Sequence, residues 1–191
     1  MTRIGLYGGS FDPVHLGHLL VARAAMEELQ LDRLFFLPAA QSPLKPERQP
    51  APAKQRLQLL RLALAGETRY EIDVQEVERG GVSYTIDTLQ DYTRRFPKSQ
   101  LFYLIGADNA SQLNRWRDAE QLARLAEFVV IPRPGGGEAQ LPAPFRGRAL
   151  RGFPLGVSSS EIRARIKSGL PVDLLVPPNV AEAIRIGRLY V

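Results

Sequence analysis

His15 and His18 are the only two histidines of the chain, and they follow the turn Gly8-Gly9-Ser10-Phe11-Asp12-Pro13-Val14. At that spacing on a helix their imidazoles share one face. Pro13 and the residues after it suit a helix start, whose free amides and dipole favour a phosphate. The glycines let the main chain approach a ligand closely. Gly17 costs about 1 kcal/mol of helix propensity relative to alanine, and close packing of a ribose or phosphate against the helix would account for it. The plainer alternative is a structural glycine turn carrying two surface imidazoles. A zinc site would have to lean on carboxylates, because the chain has no cysteine and no third histidine.

A second set of phosphate-competent groups comes late in the chain, at Val157-Ser158-Ser159-Ser160-Glu161-Ile162-Arg163. Ser158 with Glu161 three residues on matches a capping box. Three hydroxyls and the free amides of a helix start suit a triphosphate equally well. Arg163, one turn in, offers a planar and permanently charged fork to phosphate oxygens. Charge is concentrated at the same end. Residues 144–191 hold eight Lys/Arg against three Asp/Glu, which is the whole net charge of +5, while residues 1–143 are balanced. A basic end favours an anionic partner, either a nucleotide phosphate chain or a nucleic acid.

The elements that must position these groups alternate. Strands are expected at residues 3–7, 33–38, 70–77, 101–105, 128–131 and 149–153, from their short apolar runs. Helices are expected at 16–29, 55–65, 86–96, 118–126, 159–168 and 180–186. A Pro-rich stretch at 39–52 is long enough to suggest function rather than mere connection. The alternation predicts an α/β fold, a doubly wound, mostly parallel sheet with helices on both faces. Ligands of such sheets bind beyond the carboxyl ends of the strands, and the groups above lie in sequence just after those ends.

At 191 residues the chain suits a single domain, 1–191, with 144–191 as a basic helical end of that domain. No apolar run approaches the roughly 20 residues of a membrane span. The start of the chain turns into glycines too early for a signal segment. The absence of cysteine removes disulfides and thiolate sites. A cytoplasmic protein without a membrane partner is the expectation, as a monomer or small homo-oligomer.

The run from Gly9 to His18 resembles the HxGH motif region of the nucleotidyltransferase superfamily. Residues 157–163 resemble its second motif, usually written I-S-S-T-x-x-R, with Val157 for Ile and Ser160 for Thr. Over nearly the whole chain the resemblance extends to one branch, the bacterial-type nicotinate-nucleotide adenylyltransferases. Ser83-Tyr84-Thr85, Gly106-Ala107-Asp108, Trp116 and Ile131-Pro132-Arg133-Pro134-Gly135 fit that branch in order and approximate spacing. The resemblance implies a Rossmann-like domain in which His15, His18 and Arg163 carry the chemistry. It implies that ATP is bound by Gly8, Gly9, Ser10, Phe11, Gly17, Gly106, Asp108, Ser158, Ser159 and Ser160. Lys45, Tyr84, Thr85, Trp116 and Arg133 would bind the mononucleotide, with Trp116 on the pyridine ring and main-chain groups near Thr85 on its carboxylate. Amide donors at a helix start suit a carboxylate and face a carboxamide NH₂ donor to donor, so nicotinate is the preferred acceptor.

The implied reaction is attack of nicotinate mononucleotide phosphate on the α-phosphorus of ATP, with pyrophosphate leaving and Mg²⁺ carried in by the nucleotide. No protein metal site is expected. Three alternatives stay open at this stage. One is another superfamily member, such as a phosphopantetheine adenylyltransferase or a cytidylyltransferase. A second is a non-catalytic nucleotide sensor. The third is a nucleic-acid module, suggested by the pI of about 9.8 but unaccompanied by a basic-aromatic platform.

Overall fold

The computed structural model describes residues 1–43, 47, 49–135, 140–153 and 155–191. Strands β1 (Thr2–Gly9), β2 (Arg33–Pro38), β3 (Tyr70–Ile72), β4 (Ser99–Gly106), β5 (Glu127–Ile131) and β6 (Gly147–Ala149) form the sheet. Helices are α1 (Leu16–Glu28), α2 (Ala53–Ala63), α3 (Gln75–Arg79), α4 (Thr85–Arg95), α5 (Ala107–Ala110), α6 (Ala119–Leu125), α7 (Ser159–Lys167) and α8 (Pro178–Ile186). A 3-10 turn covers Leu113–Arg115. Among the described residues the strand order is β3-β2-β1-β4-β5-β6, and every pairing is parallel.

Parallel strands covered on both faces must be apolar on both faces, and these are. Ile4 and Leu6 of β1, Phe35 and Leu37 of β2, and Leu101, Tyr103 and Ile105 of β4 point to one side, where Ile86, Leu89, Tyr92 and Leu122 of α4 and α6 pack on them. Tyr7, Leu34, Phe36, Phe102, Leu104 and Val129 point to the other, under α1, α2, α7 and α8. Each fully buried side chain of this size contributes about 1.5–3 kcal/mol of transfer free energy. Ile162, Val180 and Ile184 belong to the same cluster as Ala22 and Met26, so the basic end packs on the face that α1 covers.

Sheet order reverses between β1 and β4, which both grow from the centre. The register sets Gly9 opposite Pro38 and Tyr7 opposite Leu104, so these strands end side by side. A crevice at that switch point is the usual ligand position of the fold.

Two strand expectations need correction. The segment 70–77 stays extended only to Ile72. Asp73 then accepts the Gln75 N–H at 3.0 Å, and this side-chain turn starts α3 over residues read as strand. The last strand is Gly147–Ala149 rather than 149–153. There the Glu28 carboxylate takes the amides of Arg151 and Gly152 at 2.9 and 2.7 Å, and Gly152 turns at φ +56°. Helix positions hold to within a residue or two, with Ser158 and Glu161 forming the expected capping box.

Candidate active site

The first turn folds around its aromatic and histidine side chains. Phe11 is fully buried with φ +46°, its ring 5.0 Å from that of His18 and 5.5 Å from that of Tyr7. A left-handed residue of this bulk stores strain of order 1–3 kcal/mol, which the surrounding packing holds in place. α1 starts at Leu16, later than Pro13, and His15 is its extended N-cap. The histidines pair through this cap: their rings stack at 3.7 Å, and the His15 N–H donates to His18 Nδ1 at 3.2 Å. With Nδ1 as acceptor, neutral His18 carries its proton on Nε2.

Gly17 has a reason within the protein itself, beside the ligand packing expected of it. A Cβ there would stand 3.0 Å from the His15 ring, so the glycine makes room for the histidine. A Cβ on Gly8 would stand 2.5 Å from the Tyr103 hydroxyl. Burial lowers His15 to about 4, opposed by the charge of Glu161. Burial among Tyr7, Phe11 and the His15 ring pushes His18 well below 6.5, and His15 adds to this. Both rings are therefore neutral at pH 7, and His15 Nδ1 is buried without a partner among the described residues.

The late motif docks on this turn. Ser159 Oγ donates to the Pro13 carbonyl at 2.9 Å, and Arg163 Nη1 donates to the Asp12 carbonyl. Arg163 also lies 3.6 Å from Asp12 Oδ2 and donates to Ser160 Oγ at 3.2 Å. The Ser158 N–H and hydroxyl are occupied by Glu161 at 3.0 and 2.8 Å, so Ser158 serves the cap. What α7 presents to an anion is the dipole and amides of its first turn. Asp12 and the fully buried Arg56 complete the scaffold. Arg56 donates to the carbonyls of Ser10 and Ala51 at 2.7 and 2.9 Å, and Asp12 Oδ1 accepts the Ala51 N–H at 3.3 Å.

Beside the turn, at the switch point, lies a cavity of about 610 Å³. Gly8, Gly9, Ser10 and Asp12 form one end, and Tyr84, Thr85, Trp116, Gly106, Asp108 and Arg133 the rest of the expected wall. His15, His18 and residues 158–163 are not among the described residues that line it. Thr85 is the first residue of α4, and its Oγ1 donates to the Tyr103 hydroxyl at 3.3 Å. Trp116, half-buried at the end of the 3-10 turn, meets Tyr103 and Phe128 edge-on, each at 6.4 Å, and its Nε1 is buried without a partner among the described residues. The Arg117 guanidinium lies 4.9 Å from the centre of the Tyr84 ring. Asp108 and Arg133 are exposed and paired with each other at the rim. Asp108 is not the cap of α5, a position taken by Gly106. Lys45 lies outside the described residues.

Sequence reasoning passed over Tyr103, Glu76 and Arg56. Tyr103 was detectable as the one hydroxyl in the apolar run Leu101-Phe102-Tyr103-Leu104-Ile105. Glu76 was hidden by the strand reading of its segment, and an arginine in a leucine-rich helix looks like a solvated charge.

With this geometry in place, comparisons with known proteins agree with one another. Residues 6–165 match the cytidylyltransferase-like family. The chain is 42% identical to a "Probable nicotinate-nucleotide adenylyltransferase" of Opitutus terrae, over 98% of this chain and 97% of that protein. A Thermus thermophilus protein of the same name is also 42% identical, over 98% and 99% of the two chains. The Plasmodium falciparum nicotinic acid mononucleotide adenylyltransferase, solved with NaAD, shares the fold at a TM-score of 0.77, with 18% identity and coverage of 100% and 98%.

Proposed function

The chain belongs to the cytidylyltransferase-like family and, within it, to the nicotinate-nucleotide adenylyltransferases, and from that premise we propose that it transfers the adenylyl group of ATP to nicotinate mononucleotide, releasing pyrophosphate and nicotinate adenine dinucleotide. One observation carries this reading from the site itself. Two phosphate-competent segments, joined by the Ser159–Pro13 and Arg163–Asp12 hydrogen bonds, meet beside a cavity that holds a tryptophan and the start of α4.

A phosphate oxygen of the mononucleotide attacks the α-phosphorus, the bond to the bridging oxygen of the β-phosphate breaks, and pyrophosphate departs. The attacking oxygen is already ionised, so no general base is needed, and alignment and charge neutralisation supply the acceleration. His18 donates from Nε2 to the phosphates, and His15 donates beside it. Their neutral state in the free protein lets the incoming polyanion raise their proton affinity as it binds. Arg163 and the first turn of α7 hold the distal phosphates. Mg²⁺ would enter on ATP and keep most of its waters; Asp12, the carboxylate of the first turn, is committed to the Ala51 amide and stands beside Arg163. Thr85 and Trp116 receive the pyridine ring, and Asp108 and Arg133 exchange their mutual pairing for ribose and phosphate. The compartment we assign, on the chain's likeness to this family, is the cytoplasm.

The test is pyrophosphate release from ATP and Mg²⁺ with nicotinate mononucleotide, nicotinamide mononucleotide or phosphopantetheine as acceptor. Release that is strong with the first and weak with the others is expected. Release with another acceptor alone would overturn the assignment of the cavity, and none with any would leave a nucleotide sensor.

A further inference from the structure

The cavity wall contains a carboxylate that the transfer itself does not use. Glu76, in the first turn of α3, is only 4% exposed and lines the cavity with Ser83, Tyr84 and Thr85. Thr88 Oγ1 donates to its Oε1 at 2.7 Å, and the Ser83 hydroxyl lies near enough to the carboxylate to favour its charged form. Ser83 is in turn tied to the loop that leaves β2: its Oγ accepts the Ala40 N–H at 3.0 Å, and its own N–H donates to the Gln41 carbonyl at 2.9 Å. Glu76 thus grips α4 on both sides of its start, at Ser83 before the first turn and at Thr88 after it. Between those two points lie Tyr84 and Thr85, the N-cap and first residue of the helix.

A buried acid is an expensive choice for this purpose, and more so beside a pocket meant for another carboxylate. It is intelligible if two hydroxyl donors need two acceptor oxygens. Glutamine has one acceptor oxygen, so its NH₂ would leave one of the two hydroxyl protons without an acceptor on this side chain. Burial raises the Glu76 carboxyl above its ordinary value, while Thr88, Ser83 and Arg79 pull it back, and Asp73 adds to the rise.

We propose that Glu76 is the positioning residue of the acceptor pocket: by fixing Ser83 and Thr88 it sets where the first-turn amides of α4 meet the acid group of the pyridine ring, and hence how well a ring carboxylate is told from a ring carboxamide. This rests on the adenylyl-transfer reading above.

The experiment compares the full-length wild type with Glu76→Gln and with the near-isosteric Thr88→Val, which keeps the buried volume. For each, KM for ATP, KM for nicotinate mononucleotide, kcat and the kcat/KM ratio of nicotinate to nicotinamide mononucleotide are measured, with the thermal midpoint. Glu76→Gln is expected to raise the KM for nicotinate mononucleotide and lower the ratio, each about tenfold, with the KM for ATP within about twofold. Thr88→Val moves both in the same direction by less. An unchanged ratio in both variants overturns the proposal, as does a loss spread equally over both substrates with a falling midpoint. If Glu76→Gln does not fold, Thr88→Val decides by the same ratio. A wild type inactive with nicotinate mononucleotide would instead overturn the parent reading, so the two failures are distinguishable.

Discussion

The two halves of the site are built to opposite plans. Around the phosphate turn the side chains are buried and already engaged with one another: Asp12 is 4% exposed, His15 6%, Arg56 2%, and Arg163 rests on the Asp12 carbonyl 151 residues away. Around the acceptor cavity the rim is open, and Asp108 and Arg133 are exposed and paired chiefly with each other. Donors that stabilise developing charge are effective when they do not reorganise during the reaction, which favours a tightly packed phosphate side. An acceptor must enter and leave, and on the proposed function these rim groups would trade a weak mutual contact for it. Only the inner wall of the cavity, at Glu76, Ser83 and Tyr103, resembles the phosphate side in burial.

Removing a donor from the packed half should be most damaging. His18→Ala is expected to lower kcat by roughly 10²–10³, the usual loss of a preorganised charge-stabilising donor, with a much smaller change in the KM for ATP. Steady-state kinetics decide this, and unchanged kcat would remove His18 from the chemistry. On the open side, Trp116→Ala should raise the KM for nicotinate mononucleotide by roughly 10- to 100-fold, the range of a lost stacking platform. The KM for ATP should hold; an equal rise in both would mean that the tryptophan is only part of the core.

Acid should loosen the packed half selectively. The folded pKa of His15, about 4, lies below the unfolded value of about 6.5, so the unfolded chain binds more protons between them. Stability thus rises with pH through that window and is complete above it. The contribution is on the order of 1–3 kcal/mol, and His18 adds in the same direction. Chemical denaturation from pH 4 to 7 should show a shallower pH slope for His15→Gln than for the wild type. Equal slopes would mean that these imidazoles are solvated. The smallest effect belongs to the rim: Arg133→Ala should change stability by about 0.5 kcal/mol or less, as exposed pairs do, while raising the KM for the mononucleotide severalfold. A markedly lower thermal midpoint would show that the rim is knitted like the phosphate side.

The same contrast governs what could be read from the sequence. Local signals report the phosphate half well: the glycine turn, the two histidines and the Ser158–Glu161 box are each contained within a few residues, and the sheet follows from apolar strands such as 33–38. The reason for Gly17 was not legible, because it depends on where the His15 ring rests. The inner wall of the acceptor half depends on contacts among α3, α4 and β4. Apolar alternation at Ile72 and Val74 favoured a strand, and the turn at Asp73 that ends it is made by one side chain. Arg56 could not be distinguished from a surface charge until the carbonyls of Ser10 and Ala51 were found beside it.

The central claim is that the bond broken is the one between the α- and β-phosphates. The most direct measurement is to supply nicotinate mononucleotide with ATP labelled at either the α- or the γ-phosphorus and to separate the products. Label from the α position is expected in the dinucleotide and label from the γ position in pyrophosphate. Transfer of the γ label to the mononucleotide, or recovery of the α label in AMP or ADP alone, would contradict it.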